Sequence, residues 1–91
     1  MKPVRVRVWI SGKVQGVGYR YSTFLQAQEL GVKGWVKNLA DGRVQAVFEG
    51  DREAVEAMLK WCDRGSPAAI VREVVVESEE WEGLKGFEIR N

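Results

Sequence analysis

Three glycines lie between residues 12 and 18, and an arginine follows at position 20. The stretch reads Gly12, Lys13, Val14, Gln15, Gly16, Val17, Gly18, Tyr19 and Arg20. Glycines let a backbone curl until successive N–H groups face one point, and the start of a helix adds unpaired amides and a positive dipole end. Such a cradle suits a phosphate or a similar anion, and the planar fork of Arg20 suits the oxygens of the same anion.

A second interpretation of this stretch is equally compatible with the residues. It could be a glycine-rich connection between a strand and a helix, with Arg20 facing solvent. The stretch lacks the Gly-Lys-Ser/Thr ending of a Walker loop, and its glycine spacing differs from that of dinucleotide-binding folds. The glycines and Arg20 alone therefore leave both interpretations open.

The chain of 91 residues contains no histidine. That absence removes the commonest general base, the commonest zinc ligand and every serine or cysteine triad that depends on imidazole. Cys62 is the single cysteine, and its place on the apolar side of a predicted helix indicates a buried, unreactive thiol. We expect chemistry based on carboxylates, arginine, lysine, asparagine, hydroxyls and backbone amides, with no metal and no cofactor.

Composition and charge are typical of a soluble single domain over residues 1–91. The hydrophobic share is 45% and the charged share 30%, as in ordinary globular proteins. A net charge of +1 gives no electrostatic reason to expect a nucleic-acid partner. No apolar run approaches the roughly 20 residues that cross a bilayer, and no apolar block of a signal peptide follows the N-terminus. We expect a cytoplasmic monomer without membrane or nucleic-acid partners.

Hydrophobic periodicity predicts the elements that position the glycine-rich stretch. Alternation over residues 4–10 predicts a strand with its valines on the core, and with Arg5 and Arg7 on a solvated face. The glycines from position 12 onward predict that this strand has ended. Helical spacing predicts one helix over residues 19–30 and a second with Asp51 as its N-cap. The acidic residues 77–80 are expected to be solvated as well.

Four further strands are predicted over residues 34–39, 44–49, 70–77 and 87–89. The first two are joined by a tight turn at residues 40–42, because Asp-Gly accepts the positive φ angles of a hairpin. The order is β-α-β-β-α-β with one extra short strand. It predicts an α+β fold of the ferredoxin-like, split βαβ type, with two helices on one face of an antiparallel sheet. This fold hosts many functions, so it leaves function open.

The glycine-rich stretch closely resembles the first signature of the acylphosphatase family. The second signature of that family is matched by Gly34, Trp35, Val36, Lys37 and Asn38, followed by Gly42, Val44 and Gly50. Since the chain length also matches, the resemblance covers essentially all of the sequence. One departure is Tyr19, where the family most often has phenylalanine. A phenol fits the same apolar slot if its hydroxyl finds a partner.

The resemblance implies a ferredoxin-like fold and metal-independent hydrolysis of the carboxyl–phosphate bond of acyl phosphates. Inorganic phosphate would then be the product and an inhibitor. Arg20 matches the phosphate-binding arginine of the family, and Asn38 matches the asparagine that positions the attacking water. The backbone cradle for the phosphate is matched by Gln15, Gly16, Val17, Gly18 and Tyr19.

The residue types in the chain suit an acyl phosphate better than an ordinary phosphate ester. An ester expels an alkoxide, which usually requires a general acid or a metal. An acyl phosphate expels a carboxylate, whose conjugate acid has a pKa of about 4, so the leaving group needs no proton. No side-chain base is evident, so we expect the phosphate's own oxygens to take the proton of the water. For its amide to reach the loop, we expect the strand of Asn38 to pair beside the first strand.

Three other functions are compatible with the same order of elements. An RNA-recognition module would need exposed aromatics on its first and third strands, and the third offers only Phe48, which the alternation places in the core. A metal carrier would need paired cysteines or histidines near the first loop, which has neither. A domain that binds phosphate without turnover stays open, although the presence of both Arg20 and Asn38 disfavours it.

Overall fold

The chain folds into five strands and two helices, which the computed structural model describes for residues 2–91. In chain order the elements are β1 (Pro3–Lys13), α1 (Tyr19–Leu30), β2 (Lys33–Asn38), β3 (Val44–Asp51), α2 (Arg52–Cys62), β4 (Ile70–Glu79) and β5 (Phe87–Arg90). Each predicted element is therefore present. Within residues 2–91, neither helix has the length and apolar character needed to cross a membrane.

The strands form one sheet in the order β4-β1-β3-β2-β5. Strand β1 pairs antiparallel with β3 and β4, and β2 pairs antiparallel with β3. The ferredoxin-like fold is confirmed, but β5 pairs parallel to β2, so the sheet is mixed and not wholly antiparallel. The reason is topological, since a strand that starts at the end where β4 stops must run opposite to β4 and hence along β2.

The helices and the β2–β3 hairpin lie where the sequence predicts them. Helix α1 is followed by Gly31 in the left-handed conformation, at φ +72°, which is the usual helix end at glycine. Asp51 occupies the predicted N-cap of α2, although its side chain accepts no capping hydrogen bond from the described residues. The backbone of Leu39 and Arg43 closes the hairpin with an N–H···O bond of 2.8 Å.

One face of the sheet and the inner sides of both helices enclose the hydrophobic core. Its fully buried side chains include Val8, Ile10, Phe48 and Met58, and the predicted inward position of Phe48 is confirmed. Cys62 is also fully buried. Burial raises the pKa of the Cys62 thiol to about 12, so this cysteine stays protonated and is an unreactive core residue, as expected.

Strand β1 is longer than predicted, and the expectation that it has ended by Gly12 is wrong. It pairs with β4 as far as Lys13, opposite Ile70, with a shift of register between Ser11 and Gly12. Gly12 has φ +124°, and a Cβ at this position would overlap the carbonyl oxygen of Ile70. Gly12 therefore permits the close approach of two strands at a bulge. The loop proper begins only at Val14.

The sheet face away from the helices carries a cluster of ion pairs around the buried side chains of Arg5 and Glu49. Arg5 is only 6% exposed and donates to Glu49 and to Glu79, each at 2.9 Å. Arg7 also pairs with Glu79. The expectation that these charges are solvated is therefore wrong for Arg5, whereas the side chain of Glu79 is still 27% exposed. The reason is long-range, because the chain after β4 folds back over this end of the sheet.

Glu49 holds that returning chain in place. Its buried carboxylate accepts hydrogen bonds from the backbone amides of Glu82, Gly83 and Leu84 at 2.8, 3.0 and 2.7 Å. Burial alone would raise the pKa of this carboxyl, but the amides and the guanidinium of Arg5 outweigh burial and hold the pKa below its usual value. The ionised form of Glu49 is therefore part of the folded state.

Acid should destabilise the protein partly through Glu49. Since its folded-state pKa lies below the unfolded value of about 4.3, its contribution is complete above that pH and is lost as the pH falls through the folded-state pKa. We expect Glu49→Gln to lower the free energy of unfolding by about 3 kcal/mol at neutral pH. It should also reduce the fall in stability below about pH 4. Urea unfolding of both proteins at several pH values measures this, and two parallel pH profiles would contradict it.

Candidate active site

The loop over residues 14–18 connects β1 to α1, and two glycines set its shape. Gly16 and Gly18 have left-handed φ angles of +74° and +78°. A Cβ at either position would meet no atom within 4 Å, so glycine is required here by the backbone angle and not by crowding. Gly18 is also the N-cap of α1, and no side chain among the described residues caps this helix. The first amides of α1 are therefore available to an anionic ligand.

Two side chains hold the loop from opposite sides. Gln15 donates from Nε2 to the carbonyl oxygens of Leu39 and Arg43, at 2.7 and 2.9 Å, which ties the loop to the β2–β3 hairpin. Ser66, which is buried, donates from Oγ to the carbonyl oxygen of Val17 at 2.8 Å. The side chain of Gln15 is thus used to hold the loop, and its backbone is the part left to face a ligand. Sequence reasoning missed Ser66, since nothing local distinguishes a serine after a helix.

Tyr19 anchors the start of α1 in the core. Its side chain is buried, and its hydroxyl donates to the carbonyl oxygen of Cys62 at 2.8 Å. The hydroxyl therefore has the partner that a tyrosine needs in order to fill this apolar position. Burial raises the pKa of the phenol far above its usual value, so Tyr19 stays neutral. Gly65, at φ +69°, lies against the ring, where a Cβ would overlap it.

Arg20 lies in the first turn of α1 and is held by the last strand. Its Nη1 donates to the carbonyl oxygen of Arg90 at 2.8 Å. Arginine has five N–H donors in a fixed plane, so most of them remain for an anion. Within residues 2–91, no carboxylate lies at salt-bridge distance from Arg20. A phosphate would therefore meet an arginine whose charge no neighbouring carboxylate neutralises.

Asn38 is the last residue of β2, and it lines the same cavity as Arg20. In the part of the chain that the structure describes, its Oδ1 is the one buried side-chain oxygen or nitrogen without a hydrogen-bond partner. A buried acceptor left unpaired costs about 1–3 kcal/mol. Such an atom in a site calls for an explanation, and here it can accept a hydrogen bond from a water or a ligand.

The strand of Asn38 does not pair beside β1, so that expectation is wrong. Strand β3 lies between β1 and β2 in the sheet. Asn38 still reaches the loop, because β1 and β2 run in the same direction and both end at the same end of the sheet. The hydrogen bonds of Gln15 to the hairpin carbonyls span this gap.

The loop, Arg20 and Asn38 line one open cavity of about 270 Å³. Its lining residues are Val14, Gly16, Gly18, Tyr19, Arg20, Tyr21, Asn38 and Ile89. Most of the sequence-predicted site residues are thus brought together, while Gln15 and Val17 lie in the contacts that hold the loop. Tyr21 and Ile89 are lining residues that sequence reasoning missed.

A second cavity of about 330 Å³ lies between α2 and the β1–β4 edge, beside Trp81. Its charged groups pair with one another, Arg5 with Glu79 and Arg52 with Glu56. It therefore offers less net positive charge to an anion than the cavity at Arg20, and we take the latter as the candidate site.

The lining of the candidate site has one cation and no carboxylate. Across residues 2–91, no three Asp, Glu, Cys or His side chains come together as metal ligands. Backbone amides at a helix start and an arginine can hold a tetrahedral anion. An asparagine amide can orient a water beside that anion, but it is too weak a base to deprotonate it.

Comparison with known proteins finds the same likeness over almost the whole chain. The model of the acylphosphatase family matches residues 6–89. An acylphosphatase of Trichormus variabilis is 60% identical over 87 residues, which cover 96% of this chain and 86% of that protein.

Two solved structures are also closely similar. An acylphosphatase from Coxiella burnetii aligns with a TM-score of 0.93 and 39% identity, over 97% of this chain and 93% of that one. An acylphosphatase from Bacillus subtilis aligns with a TM-score of 0.94 and 35% identity, over 97% of this chain and 99% of that one. The residues that the family model matches, 6–89, span both the glycine-rich loop and the strand that ends at Asn38.

Proposed function

Because the chain belongs to the acylphosphatase family, we propose that it hydrolyses acyl phosphates to a carboxylate and inorganic phosphate. The observation that supports this most is the convergence of three different groups in one cavity. These are the uncapped start of α1, Arg20, and Asn38, whose Oδ1 has no partner among the described residues. The first two suit an anion, and the third suits a water beside it.

In the proposed mechanism the phosphate lies against the backbone of residues 15–19. The amides of the loop and of the first helical turn, together with Arg20, donate hydrogen bonds to its oxygens. Hydrogen bonds between charged groups are roughly twice as strong as neutral ones. In the transition state, charge spreads over the three equatorial oxygens of the phosphoryl group. Donors that already point at those oxygens stabilise the transition state without further reorganisation.

Asn38 would hold the attacking water in line with the breaking bond. Its Oδ1 accepts one water hydrogen, which leaves a lone pair of the water directed at phosphorus. Holding two reactants in line in this way can supply a large part of the rate enhancement. The otherwise unpaired position of Oδ1 supports this role, because a bound water would give the buried acceptor its partner.

The atoms and electrons balance without a side-chain base. The water oxygen forms a bond to phosphorus, and the bond from phosphorus to the carboxyl oxygen breaks. The electron pair leaves with the carboxylate, which is stable without a proton at neutral pH because its conjugate acid has a pKa of about 4. The proton of the water goes to an oxygen of the phosphate itself.

The rate at saturating substrate should be nearly independent of pH between about pH 5 and pH 8. A carboxylic acid or carboxylate that took part in proton transfer would have its pKa tuned toward this range, and no such group lines the cavity. Steady-state assays across this range measure the dependence. A sigmoidal profile that disappears on mutation of one Asp or Glu would contradict the proposed proton transfer.

The proposed function is tested with purified protein, benzoyl phosphate and an excess of a chelator. We expect hydrolysis far above the uncatalysed rate, unchanged by the chelator and competitively inhibited by inorganic phosphate. Loss of activity with the chelator, restored by a divalent cation, would contradict the metal-independent mechanism. A protein that binds phosphate but leaves benzoyl phosphate intact would instead be a binding domain without turnover.

Gln15→Ala should weaken phosphate binding by up to about 30-fold, because it removes two hydrogen bonds that hold the loop and are worth about 1 kcal/mol each. The matched control is Asp41→Ala, which removes two exposed contacts on the same hairpin: the ion pair of Asp41 with Arg43 and the hydrogen bond that the backbone amide of Arg43 donates to Asp41. We expect the control to bind phosphate as the parent does. Phosphate titration followed by calorimetry measures both. Equal phosphate affinity in the parent and in Gln15→Ala would contradict this role of Gln15.

We further propose that residues 1–91 act as a single-domain monomer in the cytoplasm. A single buried cysteine supports this location, since disulfides mark oxidising compartments. The near-neutral net charge of +1 gives no sign of a nucleic-acid partner. Light scattering on the eluting protein tests the monomer, which would give a mass near 10.3 kDa.

A further inference from the structure

The cavity at Arg20 has a polar part and an apolar part. Arg20, Asn38 and the loop amides form the polar part. Tyr21 and Ile89 form the apolar part, and both are unusually open to solvent for such large apolar side chains, at 61% and 43% exposed. Single exposed apolar residues are common on protein surfaces. Two of them beside one anion-binding cavity are a different matter, because they can contact whatever the anion is attached to.

The ring of Tyr21 packs against one neighbouring aromatic ring. It stacks on Phe24, with ring centroids 6.5 Å apart and an interplanar angle of 18°. Phe24 in turn packs against Phe87 of β5, at 6.3 Å. Tyr21 directly follows Arg20 in the first turn of α1, so a ligand held by Arg20 lies close to a ring that is already positioned.

Ile89 is placed by the pairing of β5 with β2. It lies opposite Val36 of β2, and Val36 is two residues before Asn38 in the sequence. The next residue, Arg90, accepts the hydrogen bond from Arg20 at 2.8 Å. Ile89 therefore lies on the edge strand next to β2, and it lines the same cavity as Arg20 and Asn38, the residues that we assign to phosphate and water.

We propose, on the basis of the hydrolytic function above, that Tyr21 and Ile89 form the subsite for the acyl group. The cavity, at about 270 Å³, is smaller than the roughly 300–1,000 Å³ that encloses a drug-sized ligand. It can enclose the phosphoryl end, and the acyl group then lies against the two apolar side chains at its mouth. A flat aromatic acyl group can stack on Tyr21 and contact Ile89. The favoured substrates are acyl phosphates with an aromatic or branched apolar acyl group, and acetyl phosphate is disfavoured.

The test compares benzoyl phosphate with acetyl phosphate in the parent, Tyr21→Ala and Ile89→Ala. We expect kcat/KM for benzoyl phosphate to fall by about three- to tenfold in Tyr21→Ala, the worth of one aromatic contact. For acetyl phosphate we expect a change of less than about twofold, because its methyl group is too small to reach the ring. Tyr21→Phe keeps the ring and should behave as the parent does. Equal losses on both substrates would overturn the subsite.

Two matched controls remove an exposed apolar side chain outside the cavity. Leu25→Ala changes a residue one turn further along α1, and Ile70→Ala changes a residue of β4. The parent side chains of Leu25 and Ile70 are 48% and 67% exposed. Both should keep the parent's ratio of the two kcat/KM values. A change of that ratio in the controls as large as in Tyr21→Ala would also overturn the subsite. Thermal unfolding of each variant verifies that it is folded.

Binding of two phosphonates separates the subsite from the hydrolytic function. Phenylphosphonate and methylphosphonate cannot lose a carboxylate, so their affinities do not depend on turnover. We expect the parent to bind the phenyl compound more tightly, and Tyr21→Ala to bind the two about equally. A parent that shows this preference but leaves both acyl phosphates intact would retain the subsite and refute the proposed function. Equal affinity of the parent for the two phosphonates would refute the subsite alone.

Discussion

Arg20→Ala should lower kcat/KM for benzoyl phosphate by about 10³-fold or more. Arg20 is the one cation that lines the cavity, and it lies beside the uncapped start of α1. Removing a single preorganised donor from a transition-state site costs about 10²–10³-fold, and an arginine that stabilises a transferring phosphoryl group is worth about 10³–10⁵-fold. Assays of purified variants over a range of substrate concentrations measure this loss.

Two further variants separate charge from geometry at this position. Arg20→Lys keeps the charge but loses the planar fork, so we expect it to recover only a small part of the activity. Arg72→Ala removes an exposed arginine of β4 outside the cavity and should leave kcat/KM unchanged. Because Arg20 also donates to Arg90, thermal unfolding of Arg20→Ala should accompany the assay. Activity within tenfold of the parent in a folded Arg20→Ala protein would contradict the role assigned to Arg20.

Asn38→Ala should lower kcat by about 10²–10³-fold while leaving the affinity for inorganic phosphate almost unchanged. The amide is assigned to the water and not to the phosphate, so its removal affects the reaction more than the binding of the anion. The same variant should be as stable as the parent. Its Oδ1 has no hydrogen-bond partner among the described residues, so its removal breaks no hydrogen bond of that oxygen within the protein.

A loss of activity without a loss of stability distinguishes this role from a structural one. A structural asparagine would lose stability and activity together. Asn38→Asp is the informative companion, because it keeps an acceptor but adds a negative charge beside the phosphate. We expect it to weaken phosphate binding, which Asn38→Ala does not. Thermal unfolding and phosphate inhibition of both variants measure these effects, and a large loss of stability in Asn38→Ala would contradict the assignment.

Much of the fold follows from local patterns in the sequence. The alternation of β1, the Asp-Gly turn and the helical spacing of α2 each depend on neighbours a few residues apart, and these elements lie where they are predicted. The longer reach of β1 could not be predicted in this way. Gly12 looks like a loop residue on its own, and only the approach of Ile70 shows that it belongs to a bulge.

The burial of charged side chains on the strands is the part of the fold that the sequence predicts least well. The alternation of apolar and polar residues along β1 predicts that Arg5 lies on the face away from the helices, and the structure confirms this. What makes it buried is Glu49 on β3 together with the chain that folds back after β4. These partners are separated from Arg5 by dozens of residues, and no local pattern connects them.

The sequence predicts which residues form the candidate site better than it predicts the contacts that hold them in place. The glycines and Arg20 are compatible with an anion, the resemblance to the two family signatures implies a water at Asn38, and residues 16, 18, 20 and 38 line one cavity. The hydrogen bonds of Gln15 and Ser66 that hold the loop, and the placement of Ile89 beside Arg20, depend on the pairing of distant elements. The sequence shows that Tyr21 is aromatic, but it does not predict that the ring is exposed beside the cavity, which depends on the fold.

The central claim is that a water attacks the phosphorus of an acyl phosphate held by the loop and Arg20. The most direct measurement is the hydrolysis of benzoyl phosphate by the parent protein in ¹⁸O-labelled water with excess chelator. We predict rapid turnover with the heavy oxygen in the inorganic phosphate, and none in the benzoate. Hydrolysis no faster than the uncatalysed reaction, or label in the benzoate carboxylate, would contradict the account.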